Sequence, residues 1–220
     1  MKRNPLVVCL TNTVAANFTA NGLLALGAKP AMVEEASEAA ELTAHADALL
    51  VNLGTVTVAQ AEAMRAAVKV ATEKDVRWVL DPVGIQLLTF RRTLALELIK
   101  SNPTLIRGNH SEINTLLGTV PTLTGTVPIL STGETDRIIT TSGTQEVSGG
   151  VPLLQAITAT GCLQGALCAA LLGRGQTPGE ACLSASRLMK RAGERAFERA
   201  QTPGSFQIAL LDALWELNHD

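Results

Sequence analysis

The chain has 220 residues, 46% of them hydrophobic and 17% charged, with a formal net charge of −2 at pH 7. That balance suits an ordered globular chain with a sizeable core and excludes a disordered or fibrous one. A near-neutral charge, no tyrosine and only 4 phenylalanines exclude a basic, aromatic-lined surface, so nucleic acid is not expected as a partner.

The opening stretch MKRNPLVVCL carries two positive charges ahead of a short apolar run ending near Cys9. The run is shorter than the roughly 7–15 residues of a secretory signal core, and bulky Val8 stands before the cysteine. It reads as a first buried strand over 6–10. No stretch approaches the roughly 20 apolar residues of a membrane span, so a soluble protein with no membrane partner is expected. Cys9, Cys162, Cys168 and Cys182 form no C-x-x-C pair and no zinc-type spacing, which points to a reducing cytoplasm.

Further apolar, β-branched runs predict strands over 48–54, 77–81, 104–108 and 128–132. Nearly continuous apolar runs suit parallel strands covered on both faces. Between them the spacing predicts a helix over 32–46, with Glu34, Glu35, Glu38 and Glu41 on its wet face. A second spans 58–73, opened by Thr57 and Gln60 at capping-box spacing, and a third spans about 90–100. Residues 118–128 are Thr-rich and lack a helical period, so 110–117 must supply the crossover helix to the next strand. Residues 137–150 read as a hairpin turning at Ser142-Gly143.

The final third is helical. Residues 161–172 are apolar nearly all round, which predicts a central, buried helix. Thr177 as N-cap, Pro178 at the first helical position and Glu180 at the third start the next one. A last helix follows Pro203. No repeat and no long Pro/Gly/Ser linker divides the chain, so one α/β domain over 1–220 is expected.

In open parallel sheets ligands bind beyond the carboxyl ends of strands. The polar residues at those ends are Asn12, Asn52 to Thr55, Asp81 to Gly84, Arg107 to Asn109 with Glu112, and Thr132 to Glu134. Asn109 and Glu112 fit a reciprocal helix cap. They also fit an amide and carboxylate holding Mg²⁺, which typically takes one or two carboxylates plus substrate phosphates, with Arg107 beside them as a phosphate donor. Asp81 either ends a strand or adds a second carboxylate at the same metal or phosphate. Thr132-Gly133 is either a turn or a hydroxyl and bare backbone for a phosphate oxygen. Thr160, Gly161 and Cys162 open an apolar helix, where unpaired backbone N–H groups and the helix dipole make an anion site. Cys162 there is expected to have a lowered thiol pKa, yet no histidine stands ready as its base. A small residue packed at a helix start is the plain alternative.

In order along the chain, CLTNTVAANFTANGLLALGAKPAMV (9–33), ALLVNLGT (48–55), LDPVG (80–84), IRGNHSEI (106–113), STGETD (131–136), TGC (160–162) and MKRAGERA with PGSF (189–206) resemble the hydroxyethylthiazole kinases of the ribokinase-like superfamily. The resemblance implies a three-layer sandwich, a mostly parallel central sheet with helices on both faces. It implies transfer of the ATP γ-phosphoryl group to the primary alcohol of 4-methyl-5-(2-hydroxyethyl)thiazole, with Mg²⁺, in thiamine biosynthesis or salvage. By position, Met32 is expected to bind the thiazole, and Arg107 and Thr132 to contact ATP phosphates. Asn109 and Glu112 are expected at the magnesium, and Thr160-Gly161-Cys162 as the anion hole. Cys162 falls where related sugar kinases carry a catalytic aspartate. A homotrimer with sites between subunits is likewise implied.

The chain departs from that pattern in three places. Ala159 stands where the family has glycine, adding a methyl expected to crowd substrate or phosphate, and Ala156 stands where relatives carry lysine. A helix before the first strand, and a helix with its loop after Gly118, are absent, which predicts exposed apolar surface unless neighbouring elements cover it. A shortened relative that binds nucleotide or thiazole with little turnover is the second expectation, and a thiol-dependent enzyme centred on Cys162 the third.

Overall fold

The computed structural model describes residues 4–219. Its strands are β1 Leu6–Leu10, β2 Lys29–Met32, β3 Ala48–Asn52, β4 Trp78–Asp81, β5 Leu105–Asn109, β6 Ile129–Thr132, β7 Asp136–Thr140 and β8 Gly143–Val147. They form one sheet in the order β2-β1-β3-β4-β5-β6-β7-β8. Pairing is parallel from β2 to β6 and antiparallel for β7 and β8.

Side-chain alternation along each strand divides the core between two faces. Val7, Cys9, Leu50, Val79, Leu105 and Leu130 join one apolar cluster. Their neighbours Val8, Leu10, Leu49, Val51, Leu80, Ile106 and Ile129 join the other. The first face is covered by α1 Ala16–Ala25, α6 Thr160–Gly173, α7 Pro178–Phe197 and α8 Pro203–His219. The second is covered by α2 Ala36–Thr43, α3 Val58–Glu73, α4 Thr89–Ile99 and α5 His110–Thr119. The result is the expected three-layer α/β sandwich, and the two-sided burial explains why the parallel strands read as unbroken apolar runs.

The central helix is α6: every residue from Leu163 to Gly173 is buried. It packs against β1, β3, β4 and β5 as well as α1 and α7. Gly22 lets α1 approach it, since a Cβ there would collide with the Leu163 side chain. Reciprocal caps start α3 at Thr57 and Gln60, α5 at Asn109 and Glu112, and α7 at Thr177 and Glu180, each cap contributing about 1 kcal/mol.

Two elements were not among those expected from sequence. β2 is an edge strand of 4 residues with Pro30 inside it, tolerated because an edge strand leaves one side of its backbone unpaired. α1 carries Gly22 and a polar Asn/Thr mixture that hides its helical period. The helix expected over 32–46 is confined to Ala36–Thr43, because Met32 still belongs to β2, Val33 N donates to Cys9 O at 3.2 Å and Glu35 caps α2 by accepting from Ser37 N at 3.1 Å.

Residues 120–128 join α5 to β6 through a single 3-10 turn, Pro121–Gly125. Leu123 and Val127 from this segment are buried in the second cluster, while Val58, Leu87, Leu88 and Phe90, in or beside α3 and α4 of the same layer, are exposed. Burial of Leu123 and Val127 contributes about 1.5–3 kcal/mol each. On the opposite side, Leu24 of α1 and Ile208 and Trp215 of α8 are exposed. No helix among the described residues is long and apolar enough to cross a membrane.

Candidate active site

Strand order reverses between β1 and β3, and the crevice beyond the carboxyl ends at such a reversal is where open α/β sheets bind ligands. A chain of buried polar side chains starts there and runs along the rim. Asn12, just past β1, donates from Nδ2 to Asn52 Oδ1 at 2.9 Å and to Cys162 Sγ at 3.2 Å. Strand register sets Asn52 opposite Asp81, and Asn52 Nδ2 donates to Asp81 Oδ2 at 2.6 Å. Asp81 Oδ1 lies 3.6 Å from Arg107 Nη1, an ion pair beyond hydrogen-bond length. Arg107 Nη2 then donates to Thr132 Oγ1 at 2.8 Å.

The N-terminus of α6 faces that guanidinium. A Cβ on Gly161 would stand 2.8 Å from both Arg107 Nη atoms, so only a glycine leaves the Arg107 side chain where it is. The helix is preceded by Ala159, which holds φ at +71° and supplies no side-chain cap. The first-turn amides of α6 are therefore left for an anion. Thr160 contributes backbone only, because its hydroxyl donates to Leu154 O at 2.9 Å. Arg107, Asn109, His110, Thr132, Thr160 and Gly161 line a cleft of about 430 Å³.

The structure thus brings together six of the residues singled out by sequence: Arg107, Asn109, Thr132, Gly133, Thr160 and Gly161. Glu112 lies just beneath, buried in the α5 cap, where Oε2 accepts from Asn109 N and Oε1 from Gly84 N, both at 2.9 Å. The cap reading of the N-x-x-E pattern is formed, with Glu112 buried in it. Met32 ends β2 and pairs in register with Cys9. It is 36% exposed and does not line the cleft. Ala156 is exposed at the end of the 3-10 turn Pro152–Gln155.

Burial raises the Asp81 carboxyl to about 7; Arg107 opposes the rise and Glu112 reinforces it. The expectation of a lowered Cys162 pKa is overturned. Burial pushes this thiol up, the Asp81 charge adds to the rise, and Asn12, Arg107 and Asn52 pull down without reversing it. The helix terminus is outweighed because Sγ is largely taken out of water beside a carboxylate. A thiolate nucleophile at Cys162 is not supported.

Among the described residues no group of three or more His, Cys, Asp and Glu converges as a closed metal cage. Magnesium does not require one. Asp81 Oδ1 is a buried acceptor with no hydrogen-bond donor, and the Glu112 charge acts on its carboxyl. The pair fits a cation that takes its remaining ligands from phosphate and water.

Sequence reasoning missed Asp136, Gln164 and Lys190, which close the far wall, and Ser186 buried behind them. Asp136 Oδ2 accepts from Ser186 Oγ at 2.7 Å and from Gln164 Nε2 at 3.2 Å. Its Oδ1 accepts from Gly133 N at 3.0 Å and lies 3.7 Å from Lys190 Nζ. The legible signal was Gln164 itself, a lone polar residue in an otherwise apolar helix, which burial obliges to find partners. His110 also went unread: its Nδ1 lies 2.7 Å from Ser131 Oγ, and a Cβ on Gly133 would collide with its ring.

The model of the hydroxyethylthiazole kinase family matches residues 1–126 and 119–220. A hydroxyethylthiazole kinase of Escherichia coli O7:K1 is 42% identical over 240 residues, covering 100% of this chain and 92% of that protein. One from Shigella boydii serotype 18 matches to the same extent. Among solved structures, the hydroxyethylthiazole kinase protein of Pyrococcus horikoshii OT3 superposes with a TM-score of 0.92 at 36% identity, over 97% of this chain and 89% of that one. The pyridoxal kinase of Staphylococcus aureus, in complex with AMP-PCP and pyridoxal, reaches a TM-score of 0.67 at 15% identity, over 87% and 89%, a likeness of fold alone.

Proposed function

Because the chain belongs to the hydroxyethylthiazole kinase family, we propose that its cleft seats the polyphosphate of ATP between Arg107, Thr132 and the first turn of α6. The chain is a kinase that phosphorylates the hydroxyethyl alcohol of a thiazole. A shortened relative with little turnover is not favoured, since the match to curated kinases spans the whole chain. The observation that carries the site assignment is the contact of Gly161 with Arg107: a cation and a set of free helix amides share one bare patch of backbone.

Phosphoryl transfer asks mainly for positioning and charge neutralisation. Arg107 supplies a fixed positive fork at the polyphosphate, and Thr132 holds that fork. The α6 amides receive the γ-phosphoryl oxygens as charge shifts during transfer. Asp81 and Glu112, with Asn109, would hold Mg²⁺, which when bound neutralises phosphate charge and orients the leaving group. Cys162, protonated at neutral pH, acts by orienting the alcohol at the mouth of this anion site, its Sγ held by Asn12. A loose transition state needs no strong base there.

Met32 binds the thiazole in this reading. Its exposure at the sheet edge, away from the phosphate cleft, supports a substrate pocket completed by a neighbouring copy, and hence a homotrimer. Ala159 stands at the start of α6, next to the Thr160 and Gly161 amides of the anion site. The chain is read as one kinase domain over 1–220, since the two parts of the family match overlap at residues 119–126, and the free thiols suit a cytoplasmic setting. The test is ADP release with and without 4-methyl-5-(2-hydroxyethyl)thiazole. Release that depends on the alcohol and on Mg²⁺ supports the reading; ATP turnover indifferent to the alcohol opposes it.

A further inference from the structure

Arg107 is 7% exposed, and Nη1 of its guanidinium lies 3.6 Å from the Asp81 carboxylate. Left to itself such a fork pairs with the nearest carboxylate, which would turn it away from a nucleotide. Something must hold it toward the cleft. Thr132 supplies one acceptor at 2.8 Å, and Gln164 Oε1 supplies a second to the same Nη2 at 3.3 Å.

Gln164 lies one helical turn beyond Gly161, on the same face of α6. Gly161 leaves room for the guanidinium and Gln164 gives it a carbonyl to lean on. The orientation of that amide is fixed chemically. An ionised carboxylate only accepts hydrogen bonds, and Gln164 Nε2 meets Asp136 Oδ2 at 3.2 Å. The NH₂ end must therefore face Asp136, which leaves the carbonyl for Arg107. Asp136 is itself immobilised by Ser186 and Gly133, with Lys190 beside it. Burying an amide in an apolar helix is unfavourable unless both ends are bonded, and here both are. The same carboxylate that orients Gln164 also pins the Gly133 amide, so one residue sets both the Thr132-Gly133 turn and the guanidinium.

We infer that Gln164 is a positioning residue for phosphoryl transfer: oriented by Asp136, it holds the Arg107 guanidinium toward the polyphosphate and off Asp81. This inference rests on the reading that Arg107 contacts the nucleotide phosphates. It is tested by steady-state kinetics of Gln164→Met, Gln164→Glu and Arg107→Ala with Mg-ATP and the thiazole alcohol, alongside thermal melts without ligand. Gln164→Met keeps length and removes both hydrogen bonds, so the KM for ATP rises about tenfold while the KM for the thiazole alcohol stays within about twofold. Gln164→Glu sets a carboxylate against the guanidinium and competes with phosphate, so kcat/KM for ATP falls further than in Gln164→Met. Should the Met variant melt below assay temperature, the Glu variant carries the comparison. A merely structural Gln164 lowers the melting temperature and leaves both KM values alone; that result, with Arg107→Ala raising the KM for ATP, overturns the inference and leaves the Arg107 reading standing. An unchanged KM for ATP in Arg107→Ala overturns the Arg107 reading itself.

Discussion

Gly161 and Arg107 touch across the carboxyl end of the sheet, so closely that a single added methyl would stand 2.8 Å from both guanidinium nitrogens. The guanidinium has little room to retreat, since Thr132 and Gln164 hold it on one side and Asp81 lies on the other. Gly161→Ala therefore displaces the phosphate-facing fork while suiting the helix better than glycine does. Expected is a fall of about 100-fold in kcat/KM for ATP, the scale of an ångström-sized misplacement, with a melting temperature that does not drop. Kinetics and a thermal melt on one preparation check both halves, and wild-type kcat/KM would contradict the contact's role.

Ala159 is held at φ +71° immediately before α6, a left-handed conformation that costs a residue with a Cβ roughly 1–2 kcal/mol. Ala159→Gly should stabilise the protein by about 1 kcal/mol, raising the melting temperature by about 2–4 °C for a chain of this size. The same change removes a methyl at the mouth of the α6 anion site, so turnover should rise. A glycine variant that melts lower than wild type would show that the backbone strain is not real.

The Cys162 thiol is pushed above its usual pKa by burial and by Asp81. A raised thiol pKa keeps the sulfur protonated at neutral pH, so alkylation by iodoacetamide should be slow at pH 7.5. The rate should climb about tenfold per pH unit and still be rising at pH 9, where an ordinary cysteine levels off. Cys162→Ser should keep most of the kinase activity, because a hydroxyl can orient the alcohol as well as a protonated thiol. Rapid modification at pH 7 would restore the thiolate reading.

Glu112 joins stability to catalysis, since its oxygens accept from Asn109 N and Gly84 N. In Glu112→Gln one of those backbone donors loses its acceptor, which costs about 1–3 kcal/mol of stability, visible in a melt with EDTA present. The Mg²⁺ concentration for half-maximal activity should also rise at least about tenfold. A variant that melts earlier but keeps its Mg²⁺ requirement would confine Glu112 to the helix cap.

What was legible in the sequence was what one short window encodes. The β1 run Leu6–Leu10 and the caps at Thr57, Asn109 and Thr177 appear where residue order places them. Arg107 and Thr132 were reached by putting polar strand ends on one rim, and Gly161 by the unpaired amides at a helix start. The edge strand β2 escaped because 4 residues containing a proline carry no periodic signal. Asp136 escaped for a different reason: its three hydrogen-bond donors come from Gly133, Gln164 and Ser186, and only the antiparallel turn into β7 brings that carboxylate inward. Cys162 was misjudged because a helix N-terminus is visible in sequence, whereas the burial and the neighbouring Asp81 that outweigh it are not.

The account stands on one phosphate seat assembled from β5, β6 and the start of α6. A crystal structure with AMP-PCP and Mg²⁺ tests it most directly. The account predicts terminal phosphate oxygens within hydrogen-bond reach of both the Arg107 guanidinium and the Gly161 amide, with the cation beside Asp81 and Glu112. Phosphates bound away from Arg107 and the α6 N-terminus would contradict it.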